Sequence, residues 1–424
     1  MSYLDTLFGR RSRTVAIGLL FVVVAVCGVV WLPRAGSVSA AGSPAETNDT
    51  YRVLPPIESG NLLLFPVVRT GGKSGASAPF VTLDEGLKNG AVEVTEAGKV
   101  RGLVRNRDNG PAIIARGDQV NTLVLVNNSS KPLLLLAGEI VTGGKQDRVI
   151  AKDRIVPPGS DPIDLSVFCI EPGRWVESSA VFGASAKAPV ASFMVQPRVR
   201  EEAMVAKDQQ QVWNSVHGSI AAVAAAPGPS GGPMIAAPPP ATTSYAKAMQ
   251  SDDFKAKVDD AAAPLMKSRE EIMAQLRKEG AVGVVVAVRG EIVWADLFSS
   301  TDLLSRYWTK LVRSYAAESL ASADTHPAPT VSDAQRFLET PTGGTETSEG
   351  TVGVYRYLEL KSNGTETFVL ESLLPDAKGE VHMSKLKLRD TERRVHPMGS
   401  IHGPIPIRPP VIPPVPVEPP SAPQ

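Results

Sequence analysis

Short apolar runs, broken every few residues by dense polar turns, fill residues 133–175: LLLLAGEIVTGGKQDRVIAKDRIVPPGSDPIDLSVFCIEPGRW. Turns this close together leave no room for helices of ordinary length, so the runs are strands. The run 133–136 is continuously apolar, the pattern of a strand covered on both faces. Runs at 149–156 and 163–170 follow, separated by Pro157-Pro158-Gly159-Ser160. Upstream, 91–95, 112–116 and 121–127 read as further strands, with turn signals at 106–110 and 127–130. The region 91–175 therefore predicts a sandwich- or barrel-like, mostly antiparallel sheet. Before it, 61–68 reads as a buried strand, with Pro66 expected to place its end near a sheet edge. Thr82 and Glu85 form a capping box for a short helix that Gly90 stops.

After Trp175 the period changes. Val212, Val216, Ile220 and Val223 recur at helical spacing within 198–223. Residues 226–243 are rich in Pro, Gly and Ala and read as a disordered insertion. Ser251 caps another amphipathic helix, carrying Phe254, Val258, Leu265, Ile272 and Leu276, with a kink expected at Pro264. Arg289-Gly290 joins two strand-like runs as a hairpin, and Ser300 caps a helix with Leu304, Trp308, Leu311 and Tyr315 on one face. Asn363-Gly364 marks a second hairpin, and 381–388 reads as a last strand. The expected class is α+β, an antiparallel sheet domain over 57–392 with an inserted helical segment.

Two terminal segments stand apart. Residues 14–32, TVAIGLLFVVVAVCGVVWL, carry no charge and are long enough to span a hydrocarbon core as a helix. Arg10, Arg11 and Arg13 precede the run and only Arg34 follows it. That bias places 1–13 in the cytoplasm and 34–424 outside. Val38-Ser39-Ala40 resembles a signal-peptidase site, so a secreted or periplasmic chain cut near Ala40 is the alternative to a single-pass membrane anchor. Residues 33–56 read as a flexible tether. The prolines crowded into 397–424 read as a disordered tail.

Composition narrows the function. Lys+Arg and Asp+Glu number 44 each, so no charge excess favours nucleic acid as a partner. The two cysteines are Cys27, inside the apolar run, and Cys169; a cysteine-based metal site and an internal disulfide in the sheet domain are both excluded. The five histidines, His217, His326, His382, His396 and His402, show no HxH or HxxxH spacing, so neither a metal nor another cofactor is expected. No nucleophile lies beside a base in sequence, and no catalytic residue is assigned.

The remaining chemistry sits on two turns. Gly138-Glu139 and Gly143-Gly144-Lys145-Gln146-Asp147-Arg148 place polar groups on a glycine turn between apolar strands. Glycines let backbone N–H groups approach a ligand, and Lys145 and Arg148 could hold an anion. The alternative is a tight turn whose charges pair internally. Glu171-Pro172-Gly173-Arg174-Trp175 ends the next strand, where Arg174 and Trp175 could clamp an anion and stack a ring. The alternative there is Trp175 in the core and Arg174 paired to a carboxylate. The candidate ligand residues are thus Glu139, Lys145, Gln146, Asp147, Arg148, Glu171, Arg174 and Trp175.

Several of these blocks also recur together in a known family. Leu62-Leu63-Leu64-Phe65-Pro66, Val81-Thr82-Leu83-Asp84-Glu85, Leu136-Ala137-Gly138-Glu139, Gly144-Lys145-Gln146-Asp147-Arg148, Val156-Pro157-Pro158-Gly159-Ser160 and Cys169-Ile170-Glu171-Pro172-Gly173-Arg174-Trp175 appear in that order. Together they resemble the ARG and Rhodanese-Phosphatase-superfamily-associated domain family, where ARG stands for ADP-ribosylglycohydrolase. The resemblance spans roughly 57–390. Its name implies genetic association and supplies no catalytic residues. The expected function is an exported, membrane-tethered binding domain for a small anionic ligand or an envelope protein. An enzyme or sensor acting on ADP-ribose or a related nucleotide, and an envelope scaffold, are the alternatives.

Overall fold

A computed structural model describes residues 51–70, 80–99, 121–173, 182–183, 194–228, 242–322, 325–339, 344–362 and 364–389, all within the unit Thr47–Gln424. The expected N-terminal helix at 14–32, the strand at 112–116, most of the insertion at 226–243 and the tail at 397–424 lie outside the described residues. No helix among the described residues is long and apolar enough to cross a membrane.

The class is α+β with mostly antiparallel sheets. The larger sheet runs in the order β1 (Tyr51–Val53), β3 (Leu62–Arg69), β12 (Ala281–Val288), β13 (Glu291–Phe298), β17 (Gly379–Lys387), β16 (Thr365–Ser372), β15 (Tyr355–Ser362), β14 (Thr345–Thr351), with β2 (Ile57–Ser59) also pairing β3. Its centre is covered on both faces, and every residue of β12 is buried. Arg289 and Gly290, at φ 50° and 86°, turn the β12–β13 hairpin as the sequence predicts.

Pro66 is a correction: β3 is interior, not an edge. Its missing N–H is tolerated because β2 pairs with Leu62–Leu64 and β1 with Val67–Arg69. Pro66 faces the link between those two strands, where its carbonyl accepts from Leu54 at 2.8 Å.

The stretch 81–169 builds two smaller sheets. One has the order β10 (Arg154–Val156), β7 (Leu133–Leu135), β4 (Val81–Thr82). The other runs β5 (Val92–Glu96), β6 (Thr122–Asn127), β11 (Ile163–Cys169), β9 (Arg148–Ile150), β8 (Ile140–Val141). They share one apolar core that includes Leu83, Val94, Leu125, Leu135, Ile150 and Val167. The run 149–156 is two strands, because Ala151–Asp153 breaks away between β9 and β10.

Helices α2 (Pro197–Glu201), α3 (Gln209–Ala225), α4 (Tyr245–Gln250), α5 (Asp252–Lys267), α6 (Arg269–Glu279) and α7 (Thr301–Ala321) pack on one face of the large sheet. The single helix predicted over 198–223 is interrupted. Glu202–Ala206 form a π-turn, and Lys207 closes it in the left-handed conformation at φ 52°. The break after Pro264 falls a turn late, at Ser268, whose N–H donates to the Pro264 carbonyl at 3.3 Å. The capping box at Thr82 and Glu85 starts α1 (Leu83–Lys88) as expected. A further helix, α8 (Val331–Leu338), covers the opposite face of the large sheet.

Candidate functional site

The glycine turn is built against its own neighbours. A Cβ on Gly144, at φ 53°, would stand 2.7 Å from Glu96 Oε1 and closer still to the Phe182 ring. Glu96 is buried and accepts the Lys145 N–H at 2.7 Å. Lys145 is half-buried, whereas Gln146, Asp147 and Arg148 are 5%, 4% and 0% exposed. Asp147 accepts the Gly143 N–H at 3.1 Å and the Ser244 hydroxyl at 2.7 Å. Its own N–H donates to Glu171 at 3.2 Å, and Lys247 donates to the other Glu171 oxygen at 2.9 Å. Gln146 reaches the Glu171 carbonyl at 3.2 Å. Ser244 caps α4. Three predicted residues, Gln146, Asp147 and Glu171, thus converge where α4 docks.

Glu139 lies elsewhere. It takes the Leu136 N–H at 2.7 Å and pairs with Lys310 of α7 at 2.6 Å. Lys310 also contacts Asp84 at 2.7 Å. Burial alone would lower its pKa, but the two carboxylates hold Lys310 above the ordinary value, so it stays charged. Arg174 and Trp175 lie outside the described residues.

A second polar cluster was not legible in the sequence. Arg200 (α2), Asp296 (β13), His382 and Ser384 (β17), Tyr315 (α7) and Asp153 (the β9–β10 link) are each 0% exposed. Arg200 grips Asp296 bidentately at 2.8 and 3.0 Å, and its guanidinium lies 4.3 Å from the Trp294 ring centroid. Tyr315 and Ser384 donate hydroxyl hydrogen bonds to the same carboxylate. His382 Nδ1 meets Asp153 at 2.6 Å, and its Nε2 lies 3.3 Å from Asp296. Asp153 also accepts the Ala137 N–H at 2.7 Å.

Burial works against both charged forms here, yet the pairing wins. The two carboxylates raise His382 to about 9, and Arg200 with His382 holds Asp296 well below the usual carboxylate range. The cluster is two cations and two anions in an apolar core. It can store charge and fix geometry, but it presents no group to solvent. Its partners are far apart in sequence, and the one local signal is polar residues at inward positions of buried strands, in Asp296 and in His382-x-Ser384.

The sheet register carries this polarity to the surface. Phe298, His382, Leu370, Tyr357 and Glu349 lie opposite one another across β13, β17, β16, β15 and β14. Asp296, Ser384, Phe368, Glu359 and Thr347 form the next row. Residues in successive rows at i and i+2 share a face. Past the apolar pair Leu370 and Phe368, the face opens into a cleft of about 480 Å³. Strands β14 and β15 form one wall; the Ala151–Lys152 link, β11 and the π-turn form the other.

Two ion pairs cross the cleft, Lys152–Glu349 and Lys207–Glu359, both at 2.7 Å. Tyr357 lies at its base, 1% exposed, and no described residue hydrogen-bonds its hydroxyl. Burial first, then the carboxylates of Asp153, Glu359 and Glu349, push that hydroxyl well above its ordinary pKa. It is a neutral donor at any physiological pH.

The family model described as ARG and Rhodanese-Phosphatase-superfamily-associated Protein domain matches residues 50–386. The chain belongs to this family. The match covers the large sheet up to β17, both small sheets, the buried cluster and the cleft, so all of these are features of the family domain as this chain builds it. No curated protein and no solved structure matches the chain.

Proposed function

We propose that this is a ligand-binding domain, performing no chemistry of its own, tethered to the membrane and facing away from the cytoplasm. Its ligand sits in the cleft over Tyr357. The observation that carries this reading is a buried tyrosine, Tyr357, at the base of a cleft of about 480 Å³, with no described hydrogen-bond partner for its hydroxyl. Ligand sites are concave, partly apolar and fitted with a few oriented polar groups, and Ala203, Met204, Val167 and Phe168 supply the apolar lining here. The tether rests on the apolar run at 14–32 and the arginines before it.

A thermal-shift screen of metabolites against the full chain in detergent tests the site, with ADP-ribose included as the alternative suggested by the family's name. A true ligand raises the melting temperature of the wild type and fails to raise that of Tyr357→Phe or Lys207→Ala. A ligand that shifts all three equally would place the site elsewhere. Lys145→Ala in the same screen tests the glycine turn as the anion site. A phosphatase fused after residue 396 is expected to be active; a fusion active only as a cytoplasmic reporter would refute the topology.

A further inference from the structure

We infer that the cleft takes an extended peptide, which adds to the outer edge of β14 as a further strand; the inference rests on the cleft being the ligand site. Three observations lead there. First, β14 ends the order of the large sheet, so its outer backbone edge has no strand partner among the described residues. All seven of its residues are exposed. Second, Thr347, Ser348 and Glu349 all line the cleft. Side chains alternate between the faces of a strand: Thr347 and Glu349 stand on the cleft's face beside Glu359 and Tyr357, and Ser348 between them meets the cleft through its backbone, so the cleft runs along the sheet's last strand. The cleft therefore meets backbone N–H and C=O groups as well as side chains.

Third, the cleft's charges balance. Lys152 and Lys207 face Glu349 and Glu359, so a purely anionic ligand would meet as much repulsion as attraction. A ligand that carries both signs and a repeating donor–acceptor backbone answers every one of these groups, and a peptide has both. The pairs crossing the cleft are solvent-exposed and weak, so a guest can open them. Exposed edges are commonly blunted with proline, bulges or inward charges. Of these devices β14 carries only charge, in Glu346 and in Glu349, which pairs with Lys152; its sequence TETSEGT contains no proline and three threonines, whose branched side chains favour strand pairing. Backbone hydrogen bonds would give affinity, and the tyrosine and flanking charges would set which side chains are accepted.

The test pans a random heptapeptide display library against the full chain in detergent. Recovered peptides are then synthesised with every second backbone nitrogen methylated, in both phases. Strand addition uses alternate N–H groups, so methylation in one phase should weaken binding at least roughly tenfold while the other phase changes it little. Tyr357→Phe and Lys207→Ala should weaken the unmethylated peptide as well. Equal binding by the two phases overturns the inference. So does phase-dependent binding that survives both substitutions, because the strand would then be adding to another edge. If no peptide is recovered but a metabolite raises the melting temperature in a Tyr357-dependent way, the peptide inference falls and the cleft reading stands. If neither binds, both fall.

Discussion

His382 should make this domain lose stability as pH rises through neutrality. Its pKa is raised from the ordinary 6.5 to about 9 by Asp153 and Asp296, against the cost of burial. A folded state that binds a proton more tightly than the unfolded chain is stabilised below the unfolded pKa. That stabilisation fades as pH rises toward the folded value. With those two values the full contribution is about 3 kcal/mol, present at pH 5, of which about 2 kcal/mol is lost by pH 8. The window ends at pH 8 because Lys385, whose pKa burial lowers to about 8, then contributes a slope of the opposite sign. On the acid side, Asp296 lies well below its ordinary value, so its contribution is lost only as pH falls through the carboxylate range.

Urea midpoints measured every half unit from pH 5 to 8 would read this directly. His382 alone should weaken the wild type by about 2 kcal/mol over that range, whereas His382→Gln should start weaker and lack that fall. The variant keeps only the rise with pH contributed by His217, lowered from 6.5 by burial, and the fall contributed by Glu139, raised from 4.5 by burial. Glutamine keeps a donor toward Asp153 without a titrating proton. A wild-type profile that falls no more steeply than that of His382→Gln would refute a protonated imidazole between the two carboxylates.

Three further outcomes follow from the same geometry. Gly138→Ala should cost roughly 3 kcal/mol or more in a chemical melt, because a Cβ at φ 92° would lie 2.6 Å from Arg200 Cγ. Arg148→Ala should destabilise by roughly 1–3 kcal/mol, since the side chain is 0% exposed and its removal empties that space, while Lys145→Ala changes stability by about 1 kcal/mol or less. Lys152→Ala and Lys207→Ala should each leave the melt within about 1 kcal/mol, because both belong to solvent-exposed pairs; a larger loss in either would mean that the cleft walls depend on that pair.

The parts of the fold visible in the sequence were those written locally. Thr82 with Glu85, Arg289 with Gly290, and Ser300 before α7 each fix backbone geometry within four residues, and each forms as read. Strand β14 was invisible because TETSEGT has no apolar alternation; one face meets solvent and the other meets a polar cleft. The π-turn at Glu202–Ala206 was invisible because one extra residue per turn leaves the apolar spacing of α3 unchanged. At the glycine turn, sequence located a dense polar site but could not say which partners its side chains face. Ser244 lies far downstream of Asp147, and Lys310 far downstream of Glu139. His382 was set aside for lacking metal spacing, although what gives it a charge is two carboxylates far from it in sequence, Asp153 in the β9–β10 link and Asp296 on β13.

Burying two ion pairs does not by itself argue for stability, since well-packed apolar residues can do as well. What the cluster supplies is placement. The segment 197–207 carries three cleft residues, Ala203, Met204 and Lys207, and it is fastened at three points along its length. Arg198 pairs with Glu318 of α7 at 2.8 Å, and Arg200 grips Asp296 of β13. Arg389, just past β17, holds Glu201 and Glu202 at 2.5 and 2.6 Å. An unbroken helix from Pro197 would carry residue 207 around on the ordinary period of 3.6 residues. The π-turn and the left-handed Lys207 set that side chain toward Glu359 instead. Leucines in place of Arg200 and Asp296 could fill the core, but they would not fix this segment's position along the sheet to within a hydrogen bond. The buried cluster and the cleft are thus parts of one device: the charges inside hold the wall whose outer residues line the cleft.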